Sequence, residues 1–305
     1  MKFHGSICAI VTPFDARGAL DLDGFGRLLD LHVAAGTGGV VVGGSTGESA
    51  SIDETELVEL LEFAIARVAG RLQVIAGCGA AATGNALRLM HAAHGAGAAA
   101  ALVVTPYYLR PTQEGLYRHF ALLADEGRLP LLLYNVPART GCDLLPETVA
   151  RLVGHGLVAG VKEARPEPER MQALLALRKP GFSVLSGDDP TAVRALLEGA
   201  DGVISVIANV CPGPFRELVA LAMAGRTAEA LALDAQFAPL YRGTGLESNP
   251  IPAKWILHRL GLIEPVLRLP LVVLSESRRD EAEACVTLIR ALQARHPVPV
   301  GNRAA

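Results

Sequence analysis

The sequence predicts an α/β protein, a (β/α)8 TIM barrel with a C-terminal helical appendage. Eight short, nearly continuous apolar runs recur between residues 6 and 209, segments with helical periodicity separate them, and after residue 209 the strands stop. Parallel strands covered on both faces read as unbroken apolar runs rather than alternating ones. Eight such units in succession fit a closed barrel.

Taken in order, the first four runs are "SICAIVTP" (6–13), "GVVVGG" (39–44), "QVIAGC" (73–78) and "ALVVTP" (101–106). The second four are "PLLLYNVP" (130–137), "LVAGVKEA" (157–164), "FSVLSGDD" (182–189) and "GVISVIAN" (202–209). Between them, "DETELVELLEFAIARVAG" and "PETVARLVG" carry helical periodicity. A doubly wound open sheet is the alternative, but it opens on a glycine-rich first turn. The first turn here, "TPFDARG", has no such fingerprint. Beyond the last run, "GPFRELVALAMAG", "RTAEALALDAQFAPLYRG" and "PAKWILHRLG" read as helices. So does "RRDEAEACVTLIRALQARH", in which Cys285, Leu288, Ile289 and Leu292 form one face. The division expected is a catalytic barrel over 1–225 and a helical region over 226–305, with the final "PVPVGNRAA" loose.

Composition narrows the function. Half of the residues are hydrophobic, ample for a large core. Net charge is −3 with no basic block, so the electrostatic footprint of a nucleic-acid binder is missing. Five cysteines, Cys8, Cys78, Cys142, Cys211 and Cys285, form an odd and unpatterned set, which suggests reduced thiols in a cytoplasm. The apolar run at the N-terminus ends at Pro13 and Asp15, too short for a signal peptide. The longest small-and-apolar stretch, "GAGAAAALVV", is roughly half a membrane span. A soluble intracellular protein is expected, with no membrane or nucleic-acid partner.

Active sites of such barrels gather at the C-terminal strand ends. Those ends supply Thr12, Ser45, Thr46, Cys78, Tyr107, Tyr108, Tyr134, Asn135, Lys162, Glu163, Ser186, Gly187, Asp188 and Ser205. The set is rich in hydroxyls, has one lysine, and lacks the two or three histidines amid many carboxylates expected of a metal site. The lysine lies in "GLVAGVKEA", in a chain with only four lysines. Alternation puts Val158, Gly160 and Lys162 on one face and Ala159, Val161 and Glu163 on the other. Glu163 therefore cannot be the immediate partner of Lys162, and Gly160 leaves space beneath the chain. On an interior face, desolvation disfavours the ammonium. The neutral amine can then attack a carbonyl to form a Schiff base. From this strand alone, an outward-pointing or ion-paired lysine stays open.

Two further motifs support a small-acid site. "GGSTGES" (43–49) is a glycine-rich turn with two hydroxyls before a helix expected near Ser51. Its backbone N–H groups suit a carboxylate, and without a P-loop lysine they do not suit a nucleotide. The alternative is an ordinary strand-to-helix turn with a Ser/Thr cap. In "YNVPARTG" (134–141), Tyr134 ends the strand before the lysine strand and can pass protons to an imine. Arg139 in the following loop can hold a second carboxylate bidentately; a core tyrosine and a solvated arginine are the plainer readings. The "HAAH" of His91–His94 lacks supporting ligands for a metal. Asp188 and Asp189 are adjacent and point apart, so they are expected to cap a helix or hydrate the site mouth.

As a set, "GSICAIVTPF", "GGSTGES", "VTPYYLRPTQEGLYRHF", "LYNVPARTGCDLLPETVARL", "GVKEA", "LSGDD", "GVISVIAN" and "NPIPAKW" resemble the dihydrodipicolinate synthase / N-acetylneuraminate lyase family of class I aldolase-type barrels. The likeness covers nearly the whole chain. It implies condensation of pyruvate with L-aspartate 4-semialdehyde to 4-hydroxy-tetrahydrodipicolinate, the first committed step of diaminopimelate and lysine biosynthesis. Lys162 would form the Schiff base and Tyr134 would move protons. Ser45 and Tyr108 would complete a hydroxyl relay, with Tyr108 arriving from a neighbouring subunit. Thr46 would bind the pyruvate carboxylate, the Ile204 main chain and Gly187 would line that pocket, and Arg139 would hold the semialdehyde. The family needs no metal or organic cofactor and is typically a homotetramer, a dimer of tight dimers.

Two positions depart from the family pattern. Synthases usually carry threonine where Ser45 stands, and sialic-acid lyases carry serine; Arg139 points back to the synthase branch. Lysine-inhibited synthases also line an effector cleft with two histidines, an asparagine and a glutamate. The matching positions here are Glu54, Leu57, Ala81 and Asn85, although Ser49, Ala50 and Tyr107 match. Weak or absent feedback by L-lysine is the expectation. The alternatives are another pyruvate aldolase, acting on N-acetylneuraminate or a 2-keto-3-deoxy sugar acid, and a non-catalytic keto-acid-binding barrel.

Overall fold

The computed structural model describes residues 2–296; the segment 297–305, expected from the sequence to be loose, lies outside the described residues. Strands β1 (Gly5–Ala9), β2 (Gly39–Val42), β3 (Gln73–Gly77), β4 (Ala100–Val104), β5 (Leu131–Asn135), β6 (Val158–Glu163), β7 (Ser183–Ser186) and β8 (Gly202–Ser205) close in chain order into a parallel barrel. β8 returns to β1 through Ile204↔Ile7. Every strand stops before its apolar run does. The surplus residues, such as Ile10–Pro13 and the 3-10 turn Ile207–Asn209, lie beyond the strand ends and are themselves buried.

Two apolar layers explain why the runs are unbroken. Ile7, Val41, Ile75, Leu102, Leu132, Leu185 and Ile204 fill the inside. Cys8, Val40, Val74, Val103, Leu133, Val161 and Val203 face outward under the helices. That outer ring comprises α1 (Leu22–Ala35), α2 (Glu54–Val68), α3 (Thr83–Gly95), α4 (Gln113–Glu126), the single turn α5 (Pro137–Thr140), α6 (Pro146–Leu152), α7 (Pro168–Leu175), α8 (Asp189–Leu197) and α9 (Pro212–Met223). Helices α10 (Thr227–Thr244), α11 (Ile251–Arg259) and α12 (Arg279–Arg295) follow. Their Phe237, Ile256 and Ile289 belong to the same buried cluster as the barrel's outer face. All five cysteines are buried and unpaired. Among the described residues, no helix is long and apolar enough to cross a membrane.

Local chemistry sets the boundaries. The helix expected near Ser51 starts instead at Glu54, because Asp53 and Glu56 form a reciprocal capping box. Residues 45–47 and 49–51 make two short 3-10 turns before it. The expected alternation along β6 holds only from Gly160 onward. Leu131 pairs with Val158 but Leu132 pairs with Gly160, so one extra residue enters the strand. The bulge inverts the parity before it. Val158 therefore joins the outer cluster and Ala159 packs against the inner one. Nor does Gly160 leave space. A Cβ there would lie 2.5 Å from the Ser183 carbonyl oxygen and 2.9 Å from Leu132 Cδ2.

Candidate active site

At the C-terminal mouth, a chamber of about 210 Å³ opens between Ser45, Thr46, Tyr134, Lys162, Gly187 and Asn249. An outer chamber of about 390 Å³ adjoins it, lined by Ser45, Tyr107, Arg139, Asn249 and Arg268 among others. β5 and β6 set the centre through the pairing Tyr134↔Lys162. Both side chains are buried, and Lys162 Nζ stands 4.2 Å from the centroid of the Tyr134 ring. The room for the lysine comes from Gly187, the residue just after β7. A Cβ on Gly187 would sit 2.7 Å from Lys162 Cε and 2.9 Å from its Cγ, so only glycine lets the stem pass without displacement.

The hydroxyl-bearing turn is fixed from three sides. Gly43 enters it at φ 66°, and a Cβ there would strike Leu57 Cδ1 at 2.6 Å. Thr12 Oγ1 donates to the Gly47 carbonyl at 2.8 Å. Asn249 Nδ2 donates to Thr46 Oγ1 at 2.9 Å. Arg139, on the α5 turn, donates to the Asn249 carbonyl at 3.2 Å and borders both chambers. The site thus joins a buried amine, a phenol, two hydroxyls and a guanidinium. Such an arrangement can condense a carbonyl with the amine and hold an anionic substrate beside it.

Behind the two central residues, on the outside of the barrel, their chain neighbours form a second layer. Asn135 Nδ2 donates to Glu163 Oε1 and Oε2 at 3.1 and 3.0 Å and to Asp143 Oδ1 at 2.7 Å. The Arg165 amide donates to Glu163 Oε1 at 2.8 Å. Burial pushes the Glu163 carboxyl up to about 7, against the pull of those hydrogen bonds and of Arg170. Asp143 takes Arg165 and Arg170 at 2.7 and 2.5 Å. The two adjacent aspartates do separate. Asp188 borders the inner chamber and accepts from Thr191 Oγ1 at 2.7 Å. Asp189 accepts from the Val206 and Ile207 amides at 2.9 and 3.0 Å, and burial raises its carboxyl.

Lys162, Tyr134, Ser45, Thr46, Arg139 and Gly187 all come together at this mouth. Ile204 sits deeper, in the inner packing layer; the residue beyond β8 that reaches the chamber is Val206. Tyr108 lies outside both chambers of its own chain, 89% exposed at φ 72°. The positions matched to an effector cleft place Glu54 and Asn85 against one arginine, Arg88, at 2.6 and 3.2 Å. His91 bonds the Glu126 carbonyl, and among the described residues no three metal-ligating side chains converge. Reading the sequence missed Asn249, which lines both chambers, and Glu48, which borders the outer one. Their only signal was that "NPIPAKW" and "GGSTGES" stood among the motifs.

Comparison with known proteins agrees with this geometry. The 4-hydroxy-tetrahydrodipicolinate synthase of Xanthomonas axonopodis pv. citri is 51% identical over 294 residues, 96% of this chain and 97% of that one. Its counterpart from Xylella fastidiosa is 49% identical over 294 residues, with the same coverage, 96% and 97%. A crystal structure of dihydrodipicolinate synthase from Acinetobacter baumannii, complexed with pyruvate, matches at TM-score 0.93 and 41% identity, over 95% of this chain and 99% of that one. A sequence model of the dihydrodipicolinate synthetase family spans residues 2–289, and the chain belongs to that family.

Proposed function

We propose that this chain is a lyase-class enzyme that condenses pyruvate with L-aspartate 4-semialdehyde to give 4-hydroxy-tetrahydrodipicolinate, through a Schiff base on Lys162. The observation that carries the reading is the buried Lys162 amine beside the Tyr134 ring, in a chamber closed by the Ser45–Gly47 turn. The amine attacks C2 of pyruvate, and the carbinolamine loses water as Tyr134 supplies a proton to the departing oxygen. Removal of a C3 proton gives the enamine. Its C3 forms a bond to the aldehyde carbon, and the resulting alkoxide takes up a proton. The substrate's own amino group then adds to C2, closing the ring, and expels the Lys162 amine.

Thr46 and the amides of its turn hold the pyruvate carboxylate, and Arg139 holds the carboxylate of the semialdehyde. Ser45 passes protons between Tyr134 and Tyr108 of a second copy of the chain. The high exposure of Tyr108 and Leu109 supports that shared arrangement in a dimer, and the assembly proposed is a homotetramer built of two such tight dimers. Five buried free thiols suit a reducing compartment, the cytoplasm.

Incubation with pyruvate and borohydride, digestion and mass spectrometry test the chemistry. A reduced pyruvate adduct on Lys162 is expected; no adduct on folded protein overturns the reading and leaves a keto-acid-binding barrel. Offering N-acetylneuraminate or a 2-keto-3-deoxy sugar acid for cleavage to pyruvate and an aldehyde, with no semialdehyde present, separates the other aldolases. Arg139→Ala should raise KM for the semialdehyde by about 10- to 100-fold, the worth of a charge-assisted pair, while pyruvate still forms its adduct on Lys162.

A further inference from the structure

The second fully buried lysine of the chain, Lys254 on α11, lines neither chamber. Its Nζ bonds Glu48 Oε1 at 2.6 Å and the Thr12 carbonyl at 2.9 Å, and stands 4.5 Å from the Phe14 ring centroid. The two side chains are 0% and 1% exposed. Removing both charges from water costs several kcal/mol per ion, and apolar residues of similar volume often fasten two elements as well or better. The pair therefore calls for a role that apolar packing does not fill.

Its bonds converge on one place. Glu48 immediately follows the Ser45–Gly47 turn, its amide donates to the Ser45 carbonyl at 3.2 Å, and its φ of 58° is left-handed without being glycine. Such a backbone persists only where its surroundings hold it. The other Glu48 oxygen is taken by the Arg268 amide at 3.1 Å, so both arms of the carboxylate are fixed. Thr12, whose carbonyl Lys254 also holds, is the residue that grips Gly47. One ammonium thus ties down the chain on both flanks of the hydroxyl-bearing turn.

We propose that Lys254 and Glu48 are positioning residues of the keto-acid site, their buried pair holding the Ser45–Gly47 turn in the shape that presents Ser45 and Thr46 to the carboxylate of pyruvate. The proposal rests on the reading of that turn as the pyruvate carboxylate site. It makes the C-terminal helices part of pyruvate binding through Lys254, which lines neither chamber.

The test is borohydride trapping as a function of pyruvate concentration, in the full-length protein. The main variant is Glu48→Gln/Lys254→Met, which removes both charges and leaves neither one buried alone. The pyruvate concentration for half-maximal trapping should rise by about tenfold or more, equivalent to about 1.4 kcal/mol. KM for the semialdehyde should stay within about twofold, because Arg139 is held by Asn249 rather than by the pair. Glu48→Asp is the second variant, keeping the charge but shortening its reach; several-fold weaker trapping is expected there. Wild-type half-saturation in either folded variant overturns the proposal, as does an equal loss for both substrates, which marks general loosening. If the wild type itself yields no adduct on Lys162, the functional reading falls first and this inference with it.

Discussion

Two of the four lysines are buried to a similar degree, yet they stand in opposite chemical settings. Lys254 has a carboxylate at 2.6 Å and a carbonyl at 2.9 Å. Burial draws its ammonium below the ordinary lysine value, and Glu48 opposes that shift. Lys162 faces an aromatic ring at 4.2 Å and opens onto a chamber. Its following residue, Glu163, is turned to the far side of the strand and bonded to Asn135. Burial alone therefore does not make a nucleophile. What separates the two is a carboxylate bonded to the amine: β6 turns its own to the far side of the strand, where Asn135 holds it, and the turn after β2 aims its own at Lys254.

The most severe way to break that comparison is to remove each amine in turn. Lys162→Met should cost on the order of 10⁴-fold or more in kcat with the melting temperature maintained, since it removes the covalent step and no ion pair. Lys254→Met should instead lose about 3–5 kcal/mol of stability, because Glu48 is left as an uncompensated buried charge. Rate assays and thermal melts on both variants check this. A Lys162→Met enzyme within about 100-fold of the wild-type rate would abolish the distinction.

A smaller change asks whether the Lys162 amine must stand where it does. Gly187→Ala puts a methyl within 2.7 Å of Lys162 Cε, so the stem has to move. Misplacing a reacting atom by about 1 Å can cost about 10²-fold, and that is the fall in kcat expected here. The adduct should still form, more slowly, on the same lysine. An unchanged trapping rate would show that the stem can be displaced without consequence, and that its setting is looser than the packing implies.

The barrel was legible because its strands are buried on both faces, which leaves a run that no amphipathic helix produces. Lys162 and Tyr134 were legible for a related reason, since both end such runs on consecutive strands. The parity argument that set Lys162 on the face opposite Glu163 passed through a bulge, however, and held only beyond it. With both faces apolar, an inserted residue leaves no mark in the pattern. What stayed hidden was held together across the chain. Asn249 meets Thr46 over 203 residues, and Lys254 meets Glu48 over 206. Neither contact has a periodicity to read, so the pattern gave no sign that the C-terminal helical appendage lends Asn249 to the wall of the site. Tyr108 is the reverse case: the resemblance named it, and its own chain leaves it exposed.

The gentlest test of the comparison concerns the carboxylate that β6 turns away. Glu163 sits at about 7 in the fold, raised by burial, against about 4.3 in an unfolded chain. Between those values the folded protein binds more protons than the unfolded one, so stability falls as pH rises through about 4.3 to 7 and levels off above. The charged groups around it are Asp143, Arg165 and Arg170, and Asp143 already occupies both arginines. Glu163→Gln cannot ionise and should lack this slope. Relative to wild type it should gain about 1–3 kcal/mol between about pH 5 and pH 8, read from denaturant midpoints. Parallel pH profiles for the two proteins would mean that Glu163 is ionised throughout, its hydrogen bonds outweighing its burial. The carboxylate behind Lys162 would then be a permanent charge, and the contrast with Glu48 would rest on direction alone.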